Sequence, residues 1–129
     1  MTQEEKQLLL KDLCARLHYE LKIKTSKGDG VLCSIDYIQN GAYLGISING
    51  AVKDYYEYQD TKPYLRPMSS MTEEEKILMA TTCLKYANGD VEGAVSELSD
   101  FYNSRHLDYH GLIGMGLALE APEGMYKTE

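Results

Sequence analysis

The chain has 129 residues, the size of a single domain, and 43% of them are hydrophobic, which is enough to form a buried core. Twenty acidic residues face 13 basic ones, and the net charge of −7 argues against direct nucleic-acid binding, which needs a positive surface. No apolar run is long enough to span a bilayer, and Lys11 interrupts the stretch Leu8–Leu10 too early for a signal peptide.

The three cysteines, Cys14, Cys33 and Cys83, are widely spaced and odd in number, so they cannot all pair within the chain. Each has apolar neighbours, and a free cysteine is usually a small buried hydrophobic residue. We therefore expect buried, reduced thiols and a cytoplasmic protein with no membrane association. The sequence predicts no cofactor.

The first element is predicted to be a helix at positions 3–17. Thr2 and Glu5 have the spacing of a capping box, in which each side chain bonds to the backbone of the other residue. Leu9, Leu13 and Leu17 form an apolar stripe at helical spacing, which predicts that this helix packs on the core.

The apolar period then changes to two, which predicts a sheet across positions 19–58. Its strands are expected at 19–24, 31–38, 43–48 and 52–58. The pairs Asn40-Gly41 and Asn49-Gly50 favour tight hairpin turns, because both central residues of such a turn need positive φ. The last strand is polar and is therefore predicted to lie at an edge.

Positions 60–70 are predicted to be a linker, because Pro63 and Pro67 restrict the chain to extended geometry. A helical part follows at 72–119, and it opens with a second capping box, Thr72 with Glu75. Val91, Val95, Leu98 and Tyr102 predict a further helix. The glycines within 108–119 weaken the prediction of a short last helix, and 120–129 is expected to be a tail.

These elements predict a single α+β domain spanning 1–129. A three- to four-stranded antiparallel meander packs against the N-terminal helix and two or three C-terminal helices. The predicted core residues are Leu9, Leu13, Leu17, Ile23, Ile35, Ile46, Leu78 and Leu98.

His106, Asp108 and His110 form a candidate metal site, because histidines four residues apart share one face of a helix. Cys14 and His18 have the same spacing and could complete a four-ligand zinc site. In the alternative interpretation, the histidines are polar members of a turn at a helix end.

Tyrosines are concentrated near the predicted sheet, where six of the 11 lie between Tyr37 and Tyr64. Tyrosine buries a large ring while its hydroxyl stays in water, which suits interfaces. We therefore interpret five residues as a candidate partner surface: Tyr55, Tyr56, Tyr58, Tyr64 and Arg66. The alternative is that the tyrosines only cover a sheet face, which their strand propensity favours.

Three blocks of the sequence resemble a family of small uncharacterised proteins of Bacteroides-type gut bacteria and their phages and integrated elements. The blocks are MTQEEKQLLLKDLCARL, KPYLRPMSSMTEEEK and HLDYHGLIGMGLALEAPEGMYK. Where relatives tend to have a pair of histidines, this chain has Arg105 next to His106. The resemblance implies a setting in a mobile element or phage, and it implies no catalytic residues.

The leading functional hypothesis is a non-enzymatic accessory protein that binds another protein or itself. A small metal-binding protein or enzyme using His106, Asp108 and His110 is the alternative. Residues 72–129 hold eleven acidic and four basic side chains, which also allows an acidic mimic of nucleic acid.

Overall fold

A computed structural model of the chain describes residues 1–39, 41–87 and 89–126. Within these ranges it contains three α-helices and six strands. The helices are α1 (Gln3–Ala15), α2 (Glu73–Lys85) and α3 (Val91–Ser104). The strands are β1 (Lys22–Thr25), β2 (Gly28–Ile38), β3 (Gly41–Ser47), β4 (Asp54–Glu57), β5 (Lys62–Leu65) and β6 (Leu119–Glu120).

The strands form one sheet in the order β4-β3-β2-β1-β5-β6. Neighbouring strands are antiparallel except β5 and β6, which run parallel. The predicted α+β class is confirmed, but the predicted count of three or four strands is wrong. Strand β4 lies at an edge, as its polar sequence predicts.

The added strand β5 falls within the segment predicted to be a linker. Pro63 pairs with Ile23 of β1, and the Pro63 ring is fully buried. The extended backbone that proline enforces is also strand geometry, so the two prolines did not prevent pairing. Residues Tyr58–Asp60 and Met68–Ser70 form short 3-10 turns on either side.

Helix α1 has the predicted capping box, with Thr2 and Glu5 bonded reciprocally. The helix ends at Ala15, two residues earlier than predicted. Leu17–Tyr19 tighten into a 3-10 turn, and Glu20 takes a left-handed φ of 54°. For that reason the first strand begins at Lys22, not at residue 19.

The Asn49-Gly50 turn has the predicted backbone, with φ values of 54° and 75°. Asn40 of the other predicted hairpin turn lies outside the described residues, and so does Asn88, whose pairing with Gly89 favours a helix end. A bulge between Leu32 and Ser34 disturbs the alternation of β2. As a result Leu32 and Ile35, three residues apart, both contact the core, whereas Cys33 is exposed.

The core lies between α1 and one face of the sheet, and the segment 112–118 closes it. Of the predicted core residues, four are buried as expected: Leu9, Leu13, Ile23 and Ile46. Leu17 and Ile35 are partly buried against this core. The prediction was wrong for Leu78, which is exposed, and for Leu98, which is half-buried outside the core cluster.

The prediction that the cysteines are buried was also wrong, because Cys14, Cys33 and Cys83 are all free but exposed. The predicted last helix within 108–119 is likewise absent from the described chain, which instead forms turns that end in β6. Gly111 and Gly116 have φ values of 75° and 76°, which a right-handed helix does not accept. In the described ranges no helix is long and apolar enough to cross a membrane.

Candidate functional site

Helices α2 and α3 form an antiparallel pair, called here the α2–α3 hairpin, and each makes its main contacts with the other. The Lys85 ammonium lies 2.8 Å from Glu97 Oε1, and the Tyr86 hydroxyl donates to the same oxygen at 2.7 Å. The Tyr102 hydroxyl lies 3.4 Å from the sulfur of Met79. These contacts define the inner side of the hairpin.

The hairpin carries large apolar side chains that are exposed to solvent. Leu84 is 75% exposed and Val91 is 68% exposed. Three further apolar residues of the hairpin are also exposed, and we refer to the whole set as the apolar hairpin surface: Ile77, Leu78, Leu84, Val91 and Val95. Val91 and Val95 are four residues apart and share one face of α3, and exposed apolar groups that lie together mark interaction sites.

Glu75 fastens the start of the hairpin to the sheet. Its carboxylate accepts two hydrogen bonds from the Arg66 guanidinium, at 2.6 Å and 2.8 Å. The same carboxylate accepts from the Thr72 backbone at 2.9 Å, which completes the capping box of α2. Arg105, which follows α3, lies 3.4 Å from it. One buried carboxylate therefore joins both helices of the hairpin to the segment after β5.

The Arg66 guanidinium lowers the pKa of Glu75 from 4.5 to about 2, and the capping bonds with Thr72 add to this effect. Burial acts in the opposite direction. Because the pKa of Glu75 is lowered overall, the ion pair and the capping bonds stabilise the charged carboxylate more than burial destabilises it.

The five residues of the candidate partner surface do not lie together. Tyr55 is exposed on β4, while Tyr56 and Tyr58 are partly buried against the core. Tyr64 lies on β5, which three strands separate from β4, and its hydroxyl donates to Asp29 at 2.9 Å. Arg66 is only 8% exposed and is held by Glu75. The exposed Tyr55 on β4 and Tyr64 on β5 therefore lie at two separate places on the sheet and do not form one surface.

His110 belongs to a buried polar network that joins the C-terminal part of the chain to α1. Its Nδ1 lies 2.7 Å from Asp12 Oδ2. The Arg16 guanidinium donates to the same carboxylate at 2.7 Å and to the Leu107 carbonyl at 2.7 Å. Asp12 and Arg16 are fully buried and His110 is 20% exposed, and the bond to the Leu107 carbonyl shows that this network positions backbone.

Asp108 and His106 also have structural surroundings. The Asp108 carboxylate accepts from the backbone N–H groups of Leu112 and Ile113, at 2.8 Å and 3.0 Å. His106 is buried, and its ring stacks on Tyr126 with centroids 4.0 Å apart. Burial lowers the pKa of His106 to about 4, and the charge of Arg16 adds to this effect.

The structure does not bring the candidate metal ligands together. Throughout the part of the chain that it describes, no three His, Cys, Asp or Glu side chains are arranged to hold a metal ion. Cys14 and His18, the other two candidate ligands, are both exposed on the surface.

Two clefts flank the C-terminal segment, and Arg66 and Tyr126 line both of them. One has a volume of about 490 Å³ and the other about 350 Å³. The Tyr126 hydroxyl accepts from the Lys22 N–H at 2.8 Å and donates to the Tyr64 carbonyl at 2.9 Å. Burial raises the pKa of Tyr126 well above its usual range. Tyr126 thus lies between the two clefts, and its hydrogen bonds hold residues 119–126 against β1 and β5.

Sequence reasoning missed the buried ion pairs and the uncovered hairpin. Asp12 and Arg16 are four residues apart, the spacing of an ordinary exposed helix pair, so spacing alone did not indicate burial. The apolar spacing on α3 correctly indicated a helix, but the prediction that Leu78 of α2 and Leu98 of α3 belong to the core was wrong. The unusual number of exposed apolar side chains appears only once the partners of each helix are known.

Comparison with known proteins yields no matching protein-family model, no matching curated protein and no matching solved structure.

Proposed function

We propose that the protein acts by binding another protein, and that the apolar hairpin surface is the binding site. The observation that carries this proposal is the exposure of five large apolar side chains on two helices that pack on each other. Covering such side chains removes apolar area from water, which is the main favourable contribution to protein association.

The attachment of the hairpin supports the same function. The Glu75–Arg66 pair and the stacking of Tyr102 on Tyr109, with centroids 5.1 Å apart, hold the base of the hairpin in place. A hairpin fixed at its base presents a preformed surface, so a partner need not order it on binding. An accessory role in a phage or mobile element, which the sequence resemblance implies, agrees with a protein that works through a partner.

Photo-crosslinking in the native cells tests the proposal. A benzophenone amino acid replaces Leu84 or Val95 of the full chain, or Val52 as a control. Val52 is the best control because it is 94% exposed but lies in the connection before β4, away from the hairpin. We expect a discrete protein adduct from positions 84 and 95 and none from position 52. The proposal fails if the hairpin positions give no adduct, or if position 52 gives the same one.

A further inference from the structure

The outer side of α2 forms a ridge that faces away from α3. Met79 and Tyr86 contact α3, and they lie seven residues apart on one face of the helix. Ile77 and Leu84 each precede one of these residues by two positions, which is more than half a turn around the helix. These two side chains therefore share the opposite face, and both are well exposed.

The ridge has the dimensions of a helix-docking site. Its apolar residues recur at the spacing i and i+7, with Ala80 and Thr81 exposed between them. Partners that recognise such a pattern usually present an amphipathic helix, whose side chains interlock with the ridge. The 13 residues of α2 extend for about 20 Å, enough for a partner helix of about three to four turns.

Charge identifies the kind of helix that fits. Residues 73–104 contain seven acidic and two basic side chains, which gives the hairpin a net charge of −5. Glu73 and Glu74 precede Ile77 by four and three residues, so they flank the ridge on the helix surface. A second copy of this chain would bring the same negative field to the interface and would be repelled.

Building on the proposed function, we infer that the ridge of α2 binds a basic amphipathic helix of the partner protein. The apolar side of that helix covers Ile77 and Leu84, and its lysine or arginine residues lie beside Glu73 and Glu74. The acidic hairpin attracts such a helix at long range, so salt weakens the association.

Two synthetic peptides of about 14 residues test this inference, a length that matches α2. Both carry leucine at helical spacing; the remaining positions are lysine in one peptide and glutamate in the other. Binding to the full chain is measured by fluorescence anisotropy. We expect the lysine peptide to bind at least about tenfold more tightly than the glutamate peptide, and its Kd to rise about tenfold from about 50 mM to about 500 mM salt.

Three variants locate the site. Ile77→Gln/Leu84→Gln should weaken binding of the lysine peptide by at least about tenfold, because two apolar contacts are lost. Val52→Gln, the matched control, should leave the Kd unchanged. Glu73→Gln/Glu74→Gln should weaken the lysine peptide about fivefold and reduce the salt dependence. Because all five positions are exposed, circular dichroism of each variant should match that of the original chain.

Several outcomes overturn the inference. Equal affinity for both peptides would show that charge does not select the partner helix. Unchanged binding by the Ile77→Gln/Leu84→Gln variant would show that the ridge is not the binding site. A dimer in light scattering that is lost in this variant identifies a second copy as the occupant instead. If positions 84 and 95 crosslink in cells but the lysine peptide does not bind, the proposed function stands and only the class of partner is wrong.

Discussion

Glu75→Gln tests whether the buried carboxylate fastens the hairpin to the sheet. The substitution keeps the shape of the side chain and removes its charge, which leaves the Arg66 guanidinium buried without its counter-ion. The pKa of Glu75 falls from 4.5 to about 2 on folding, which corresponds to about 3 kcal/mol of stability above pH 4.5. Breaking a buried ion pair by removing one partner costs a similar amount, about 3 to 5 kcal/mol.

The assay is urea unfolding at neutral pH, followed by circular dichroism, with thermal melting as a second measurement. We expect the free energy of unfolding to fall by about 3 kcal/mol and the melting temperature by about 10 °C. The chain offers a matched control in Glu5→Gln. Glu5 occupies the same position in the capping box of α1, but it is partly exposed, and its carboxylate bonds to Thr2 with no arginine of the described residues beside it. Its substitution should cost much less.

The pH dependence provides an independent measurement. Because the pKa of Glu75 is lower in the folded state, its contribution is complete above pH 4.5 and is lost as pH falls toward 2. The Glu75→Gln variant should lack this acid-dependent loss. Equal destabilisation by the substitutions at Glu5 and Glu75 would refute the reasoning, because it would assign the whole effect to the capping box.

Three further predictions concern the body of the domain. The pKa of His106 drops from 6.5 to about 4 on folding, so the unfolded chain gains the proton first as pH falls. The free energy of unfolding should therefore decrease by about 3 kcal/mol when the pH is lowered from 6.5 to about 4. A His106→Asn variant, which suits the φ of 58°, should lack this decline in urea titrations, and an equal decline would contradict the assignment. Gly30→Ala places a methyl group 2.7 Å from the Ser47 carbonyl oxygen and should cost about 2 kcal/mol, whereas Gly114→Ala, with its nearest neighbour at 3.7 Å, should melt like the original chain. Tyr126→Phe removes the hydroxyl that accepts from the Lys22 amide, so hydrogen exchange at this amide should accelerate by about tenfold; an unchanged rate would mean that Tyr126 does not fasten the C-terminal segment.

Features that depend on neighbouring residues were predictable from the sequence. Both capping boxes formed at Thr2 and Thr72, and the Asn49-Gly50 turn has the positive φ values that its residues favour. The alternation of Ile23 with its lysine neighbours correctly indicated a half-buried strand. Each of these features is decided within a few residues, where propensity and local hydrogen bonds are sufficient.

Features that depend on distant partners were decided only by the tertiary structure. The segments around Glu5 and Glu75 are almost identical, yet Glu5 is a partly exposed cap, whereas the ion pair with Arg66 makes Glu75 a buried anchor. Pro63 sits in a strand because β1 was available to pair with it.

The same limit explains the main error at the candidate site. An apolar stripe indicates that a helix has a side to cover, but it does not identify what covers it. On α1 the sheet covers the stripe, whereas Ile77 and Leu84 of α2 remain exposed in this chain. The sequence alone determined that these helices form. The tertiary structure decided which apolar surface remains for a partner, because burial depends on long-range packing that local spacing does not encode.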